Sequence, residues 1–584
     1  MFLKKATRKS DGRTYLSIVT GYRDEAGISR TKTVRSLGYL DVLEKDFDDP
    51  VAHFSAVAAE MDAEARAAQA PAMLTIRPAE RLRADGCERK NLGFSALSAV
   101  YHELGLDAFF KNRQRHRLFG FSVDQAVRLL VFNRVLEPGS KRSAQGGCQG
   151  YFDSFDLSLD DIYSALTHIS GHKDALISHL NSKIGQAYGR DKELFYYDVT
   201  NYYFEIDRAD DPGKRGVARK KGVSKEHRPN PIIQMGLLLD GNALPVSYDL
   251  FSGNTHDCQT LVPVLSAARK ELDAKRIVIV ADKGLCTGDN IIAALAKGDG
   301  YVFSHTVRGA SAKLKEWVLS DAGYQELGTE GFKLKSRIAA RTVNVAVQEK
   351  DGARKRRAKA QEVTETQVAY YSPKYAARAK AERSEAVAKA QAMVACPPRL
   401  KSMIDHTAAK YVKGITINDD GEILDVSEVL SFDSGRLAEE ERLDGYYLIC
   451  TSESDRGAGE IIDIYRGLWR IEETFKVTKS DLVARPVFLS REDRIAAHFM
   501  ICFIALLILR ILQMRTNWKH SASVIAKTLK DANGVFEGEN WYLFDHYDYV
   551  LEDIGAATNI DFTKRRLTRS DIKTLVGNTK KPSK

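Results

Sequence analysis

The stretch between residues 193 and 307 constrains the fold more tightly than any other. ELFYYDVTNYYFE alternates with a period of two, so Tyr196, Asp198, Thr200, Tyr202 and Phe204 share one face of a strand. IIQMGLLLDGNALPVSYDLF reads as a hairpin turning at residues 240–242. SGNTHD then opens a helix, with Thr255 as its N-cap, that runs to about Leu272. RIVIVA is apolar on both faces, as strands buried in parallel or mixed sheets are, and it ends in Asp282, Lys283 and Gly284. Ligands of such sheets gather at the carboxyl ends of the strands. A helix over 289–296 and a strand over 301–307 complete a β-β-β-α-β-α-β order.

This is the order of a ribonuclease-H-like fold, an α/β class with a mixed five-stranded sheet and flanking helices. Its first and fourth strands are neighbours, so Asp198 and Asp282 are expected to face each other. A carboxylate at the centre of an aromatic strand is costly to bury unpaired, and a structural acid paired to an arginine remains the plainer alternative for Asp198. A third acid is expected on residues 460–480, EIIDIYRGLWRIEETFKVTKS, which lack proline and repeat Ile461, Ile464, Leu468, Ile471 and Phe475 at helical spacing. At about 100° per residue, Tyr465, Glu472 and Lys479 fall on one line of that helix. Taken alone it is an ordinary amphipathic helix; the two upstream aspartates are what make Glu472 a candidate. Three acids on separate elements form an oxygen-rich set suited to Mg²⁺, with Mn²⁺ able to substitute, and a pair of such ions stabilises both oxygens of an in-line phosphodiester displacement.

A chain of 584 residues is too long for one core. The expected divisions are a β module at 1–50, a helical, DNA-binding region at 51–190 and a first part of the core at 191–309. A β-rich insertion with one basic helix at 310–445, a second part of the core at 446–515 and a basic region with a frayed end at 516–584 follow. The N-terminal module reads as two strands, 14–22 and 30–40, around a turn at 24–27. The formal charge of +9 favours an acidic partner, nucleic acid first. KRSAQ and KNRQRHR in the helical region are either phosphate contacts or solvated faces, and the loop at 207–229 is a basic arm. The seven cysteines are scattered singly, which indicates neither a disulfide frame nor a zinc site and fits a reducing cytoplasm. MFLKKATRKSDGR turns polar at once, unlike a signal peptide. Residues 495–512 barely reach the length of a bilayer span and carry His498 and Arg510, so a buried helix is expected there and no membrane.

YYDVTNYYFE, VIVADKG and YRGLWRIEETFKVTK resemble the three catalytic segments of bacterial insertion-sequence DDE transposases, in the branch with a β-rich insertion and a Tyr-Arg-Glu-Lys helix signature. GVSKEHRPN, FSGNTHD and SLGYL are similar to one subgroup of that branch. The resemblance implies that Asp198, Asp282 and Glu472 bind the metal, and that Tyr465 and Lys479 contact DNA phosphates near the cut. The signature arginine position holds Leu468. Arg466 and Arg470 point well away from Glu472 on a regular helix, so the missing contact is expected from Lys225 or Arg228. Lys476 and Arg470 are further candidate DNA contacts. Trp469 is expected to pack between helix and sheet rather than to stack on a flipped base.

The resemblance implies an enzyme that binds terminal inverted repeats of double-stranded DNA, cleaves at the element ends and transfers the 3′-OH ends to target DNA. It also implies at least a dimer on DNA and a cytoplasmic, nucleoid-associated protein. The rival readings are a ribonuclease-H-like nuclease without strand transfer and a catalytically inactive DNA-binding regulator.

Overall fold

In the computed structural model the described residues are 1–8, 12–23, 29–67, 88–211, 216–222, 229–328, 330–346, 358–395, 406–417 and 423–581. The chain divides into two units, Met1–Arg81 and Leu82–Lys584.

The first unit is an antiparallel sheet of three strands, Phe2–Thr7, Thr14–Arg23 and Ser29–Tyr39, with a helix over Pro50–Ala67. Leu16, Ile18 and Val19 of the sheet and Phe54 and Ala58 of the helix are its buried apolar residues. The module therefore has three strands, not two. FLKKAT has almost no apolar alternation, and pairs with the second strand (Phe2 opposite Val19) while staying largely exposed. The expected turn at 24–27 lies outside the described residues.

The second unit is built on a nine-stranded mixed sheet. Its order is Gln325–Glu326, Lys333–Ala346, Ala358–Tyr371, Tyr446–Thr451, Gly300–His305, Val278–Ala281, Leu194–Tyr203, Ile232–Asp240 and Pro245–Ser252. Val278–Ala281 runs parallel to both of its neighbours, and the other pairings are antiparallel. The expectation of five strands is corrected to nine. Val368 lies opposite Ile449 and Ile449 opposite Ser304, so the strands over 333–371 extend the same sheet through Tyr446–Thr451. The physical reason is continuous alternation: Val368 and Ile449 face one core while Ala369, Leu448 and Cys450 face the other. An edge strand that ended at Gly300–His305 would leave those apolar residues and backbone groups without partners.

Period-two alternation holds across the sheet. Tyr196, Tyr202, Val280 and Val302 enter one core; Phe195, Tyr197, Val199, Ile279, Ala281 and Phe303 enter the other. Helices Leu261–Leu272 and Gly288–Leu295 cover the second face. The first of them starts later than Thr255. A short turn over Asp257–Gln259 precedes it, and Thr260 occupies the cap position while accepting a hydrogen bond from the Tyr197 hydroxyl.

Helix Glu492–Arg515 is long and apolar enough to cross a membrane, yet 94% of its apolar window is buried inside the protein. It packs against helices Val123–Leu136, Leu159–Ile169 and Phe94–Glu103 and against strand Pro245–Ser252. A helix enclosed on all sides has no polar face to show. The segment 516–584 is not frayed over its described part. It forms helices Ala522–Asp531, Tyr549–Thr558 and Arg569–Thr579 and strands Asn533–Gly538, Trp541–Phe544 and Arg566–Thr568, which make one sheet with Arg89–Asn91. Leu529, Ile554 and Ile572 anchor it to the main core, which its net basic composition does not reveal.

Candidate active site

Two aspartates come together through backbone register. Leu194, Phe195 and Tyr196 lie opposite Val278, Ile279 and Val280 in parallel pairing. Continued by two residues, that register sets Asp198 opposite Asp282, one inter-strand spacing of about 4.8 Å away. Both carboxylates are half-buried, and both fall on the sheet face shared by Tyr196 and Val280. Asp282 Oδ1 accepts hydrogen bonds from Ser304 Oγ (3.0 Å) and from the Tyr465 hydroxyl (3.3 Å). Asp282 makes no side-chain cap to the short helical turn that follows it. Its second oxygen therefore has no donor among the described residues. Burial, with the Asp282 charge beside it, raises the Tyr465 phenol above its ordinary value and keeps it a neutral donor.

The segment carrying Glu472 lies over this face but is not one regular helix. Helix Ala458–Arg466 gives way at Gly467 and Leu468 to helix Trp469–Lys476, followed by a π turn over Val477–Asp481. The junction is overwound: Leu468 N–H donates to Tyr465 O, Arg470 N–H to Gly467 O and Ile471 N–H to Leu468 O, all three residues back. Gly467 is required here, because a Cβ would sit 2.1 Å from the Tyr196 hydroxyl oxygen. That hydroxyl donates to Ile464 O at 3.2 Å. At the far end the Tyr202 hydroxyl meets Thr478 Oγ1 at 2.8 Å. Two tyrosines of the Asp198 strand thus hold both ends of the segment. Six strand residues span about 20 Å and fourteen helical residues about 21 Å, so the segment runs along the strand with Asp198 between the clamps.

Of the adjacent glutamates, Glu473 is tied to the buried Arg510 (3.2 Å), whereas Glu472 is exposed. Among the described residues no three His, Cys, Asp or Glu side chains are gathered closely enough to hold a metal, so Glu472 does not close a three-acid cluster with the aspartates. The donor set nonetheless suits a hard divalent cation, since it consists of carboxylate oxygens, two of them fixed side by side on rigid strands.

The remaining candidates separate. Lys476 is exposed, and Lys479 is half-buried on the π turn. Arg470 donates to Gly241 O at 2.7 Å, which ties the helix to the 240–242 hairpin. Lys225 and Arg228 lie outside the described residues. Leu468 is buried in the main core. Trp469 is 57% exposed, which corrects the expectation that it packs against the sheet: the overwound turn rotates it outward while Leu468 takes the inner position. The sequence pattern places Tyr196 on the Asp198 face but does not mark it as a clamp, and gives Ser304, Gly467 and Arg510 no part in the site. Ser304 was within reach of the pattern, since it follows Val302 by two on the Asp282 face.

The family described as "Transposase DDE domain" matches residues 212–508, which include Asp282 and Glu472 and begin after Asp198. The family described as "IS1634 family transposase, N-terminal domain" matches residues 3–72. A comparison with curated proteins gives no match. The two families match one after the other along the chain, and the first covers half of it: the chain belongs to the DDE transposases of insertion sequences.

Proposed function

We propose that this transposase cleaves phosphodiester bonds at the ends of its element and joins the freed 3′-OH groups to target DNA, using Asp198, Asp282 and Glu472 to hold Mg²⁺ or Mn²⁺. The observation that carries the proposal is the parallel register of residues 194–196 with 278–280, whose extension by two residues brings Asp198 toward Asp282 on the face where Tyr196 and Tyr202 hold the Glu472 segment. The strand order Pro245–Ser252, Ile232–Asp240, Leu194–Tyr203, Val278–Ala281, Gly300–His305 supports a ribonuclease-H-like core within the larger sheet. Ser304 and Tyr465 fix one oxygen of Asp282, and the other has no donor among the described residues and would serve as the ligand. When bound, divalent ions supply charge neutralisation for the carboxylates and activation of the attacking oxygen. Tyr465 orients Asp282 rather than reaching for a phosphate. The exposed Trp469, three residues before Glu472, offers a stacking surface beside the acids, and Lys476 and Lys479 offer cationic contacts to the DNA backbone.

The division into an N-terminal module, a helical region, a two-part core, an insertion and a C-terminal region is part of this proposal, with double-stranded DNA as the partner. So are at least a dimer on the DNA and a cytoplasmic location. The test is strand cleavage on a short duplex carrying the terminal repeat that flanks the gene, against a scrambled duplex, in Mg²⁺ or EDTA. Metal-dependent nicking at the repeat boundary is expected. Repeat binding without cleavage in either ion would favour the regulator, and cutting without preference for the repeat would favour a plain nuclease.

A further inference from the structure

Directly after the π turn, a cavity of about 120 Å³ opens among Arg134, Ser140, Lys141, Tyr163, Phe488 and His498. No carboxylate lines it. Lys141 belongs to the KRSAQ cluster but is not on a solvated face: its side chain is buried, and its ammonium donates to His498 Nδ1 at 2.8 Å. His498 Nε2–H donates in turn to Ala484 O at 3.0 Å, which leaves His498 neutral and with no further proton acceptor for Lys141. Arg134, 5% exposed, gives its terminal nitrogens to the carbonyls of Leu482, Val483 and Gly139, while its Nε is buried without an acceptor. Neither cation has an acidic partner among the described residues. Two buried basic groups beside each other, with unspent donors and no counter-charge, are unfavourable unless Lys141 gives up its proton or an anion joins them.

We propose that this cavity takes a backbone phosphate of the DNA, held by the Lys141 ammonium, with the unsatisfied Arg134 Nε–H as a second donor. The volume exceeds the roughly 10–15 Å³ that one water needs, and Phe488, 71% exposed, stands at the mouth. The cavity is walled in part by Val483, Pro486, Val487, Phe488 and Leu489, a segment that begins four residues after Lys479. Burial, with Arg134 beside it, pulls Lys141 down to about 7, and a bound anion reverses that shift. The inference rests on DNA being the substrate.

The test uses the full chain and a short fluorescent duplex, with affinity measured across a range of salt concentrations. Lys141→Met is expected to weaken binding roughly tenfold and to reduce the slope of log affinity against log salt by about one. Phe488→Asp changes only an exposed residue, so it folds whatever the fate of Lys141→Met, and is expected to weaken binding in the same direction. Folded variants that bind with wild-type affinity and slope would overturn the proposal. So would inorganic sulfate raising the melting temperature in a Lys141-dependent way while duplex binding is unchanged, which would assign the cavity to a free anion. Failure of the wild type to bind any duplex would instead remove the DNA reading itself.

Discussion

The two aspartates and the segment that carries the glutamate are held over the same sheet face by different physics. Asp198 sits on a strand paired along its length, and Asp282 directly follows one whose register is fixed by both neighbours, so a one-residue error would send each side chain to the opposite core. Glu472 sits on a segment that changes its winding twice within fifteen residues, and its placement depends on two tyrosine clamps and one glycine. Strand-borne acids are positioned by the sheet as a whole. A helix-borne acid is positioned by a few contacts that single substitutions can remove.

Substitutions should therefore act differently in the two regions. Asp282→Asn keeps the shape of the strand end and its bond from Ser304, so it should lower cleavage by roughly a hundred- to thousandfold with an unchanged melting temperature; a thermal shift and a single-turnover assay check both halves. Leu468→Arg, which restores the signature arginine, should place a guanidinium in the core and cost about 2–4 kcal/mol in denaturant unfolding. Unchanged stability with tighter end binding would show that the segment can rewind to a regular helix. Gly467→Ala should destabilise by about 1–3 kcal/mol, although helix propensity alone predicts a gain of about 1 kcal/mol. Adding Tyr196→Phe should recover only part of that loss, because the ring carbon Cζ would still lie 2.6 Å from the new methyl group. Tyr465→Phe removes one donor to Asp282 and should slow cleavage by up to about tenfold with little change in stability.

The same contrast explains what the sequence disclosed. The alternation in ELFYYDVTNYYFE and the apolar RIVIVA strand predict the parallel neighbours that carry Asp198 and lead into Asp282, because strand period and parallel order tolerate little error. The line through Tyr465, Glu472 and Lys479 assumed 100° per residue. A three-residue-back turn advances by about 120° and a π turn by about 80°, so the phase cannot be read across Gly467. Trp469 is exposed rather than packed for that reason, while Leu468 keeps the buried place of the apolar stripe. The β-rich character of the insertion is visible in the sequence, but alternation does not say which sheet a strand joins. The sequence leaves KRSAQ open between a phosphate contact and a solvated face, because composition cannot show that helix Glu492–Arg515 brings His498 against Lys141.

The central claim is that Glu472, not its neighbour, acts with the two aspartates. The direct measurement compares Glu472→Gln with Glu473→Gln for Mg²⁺-dependent cleavage at the terminal repeat, with melting temperatures measured in parallel. The account predicts that Glu472→Gln abolishes cleavage at wild-type stability, while Glu473→Gln loosens the Arg510 contact, lowers the melting temperature and still cuts. Cleavage surviving in Glu472→Gln and lost in Glu473→Gln would contradict it.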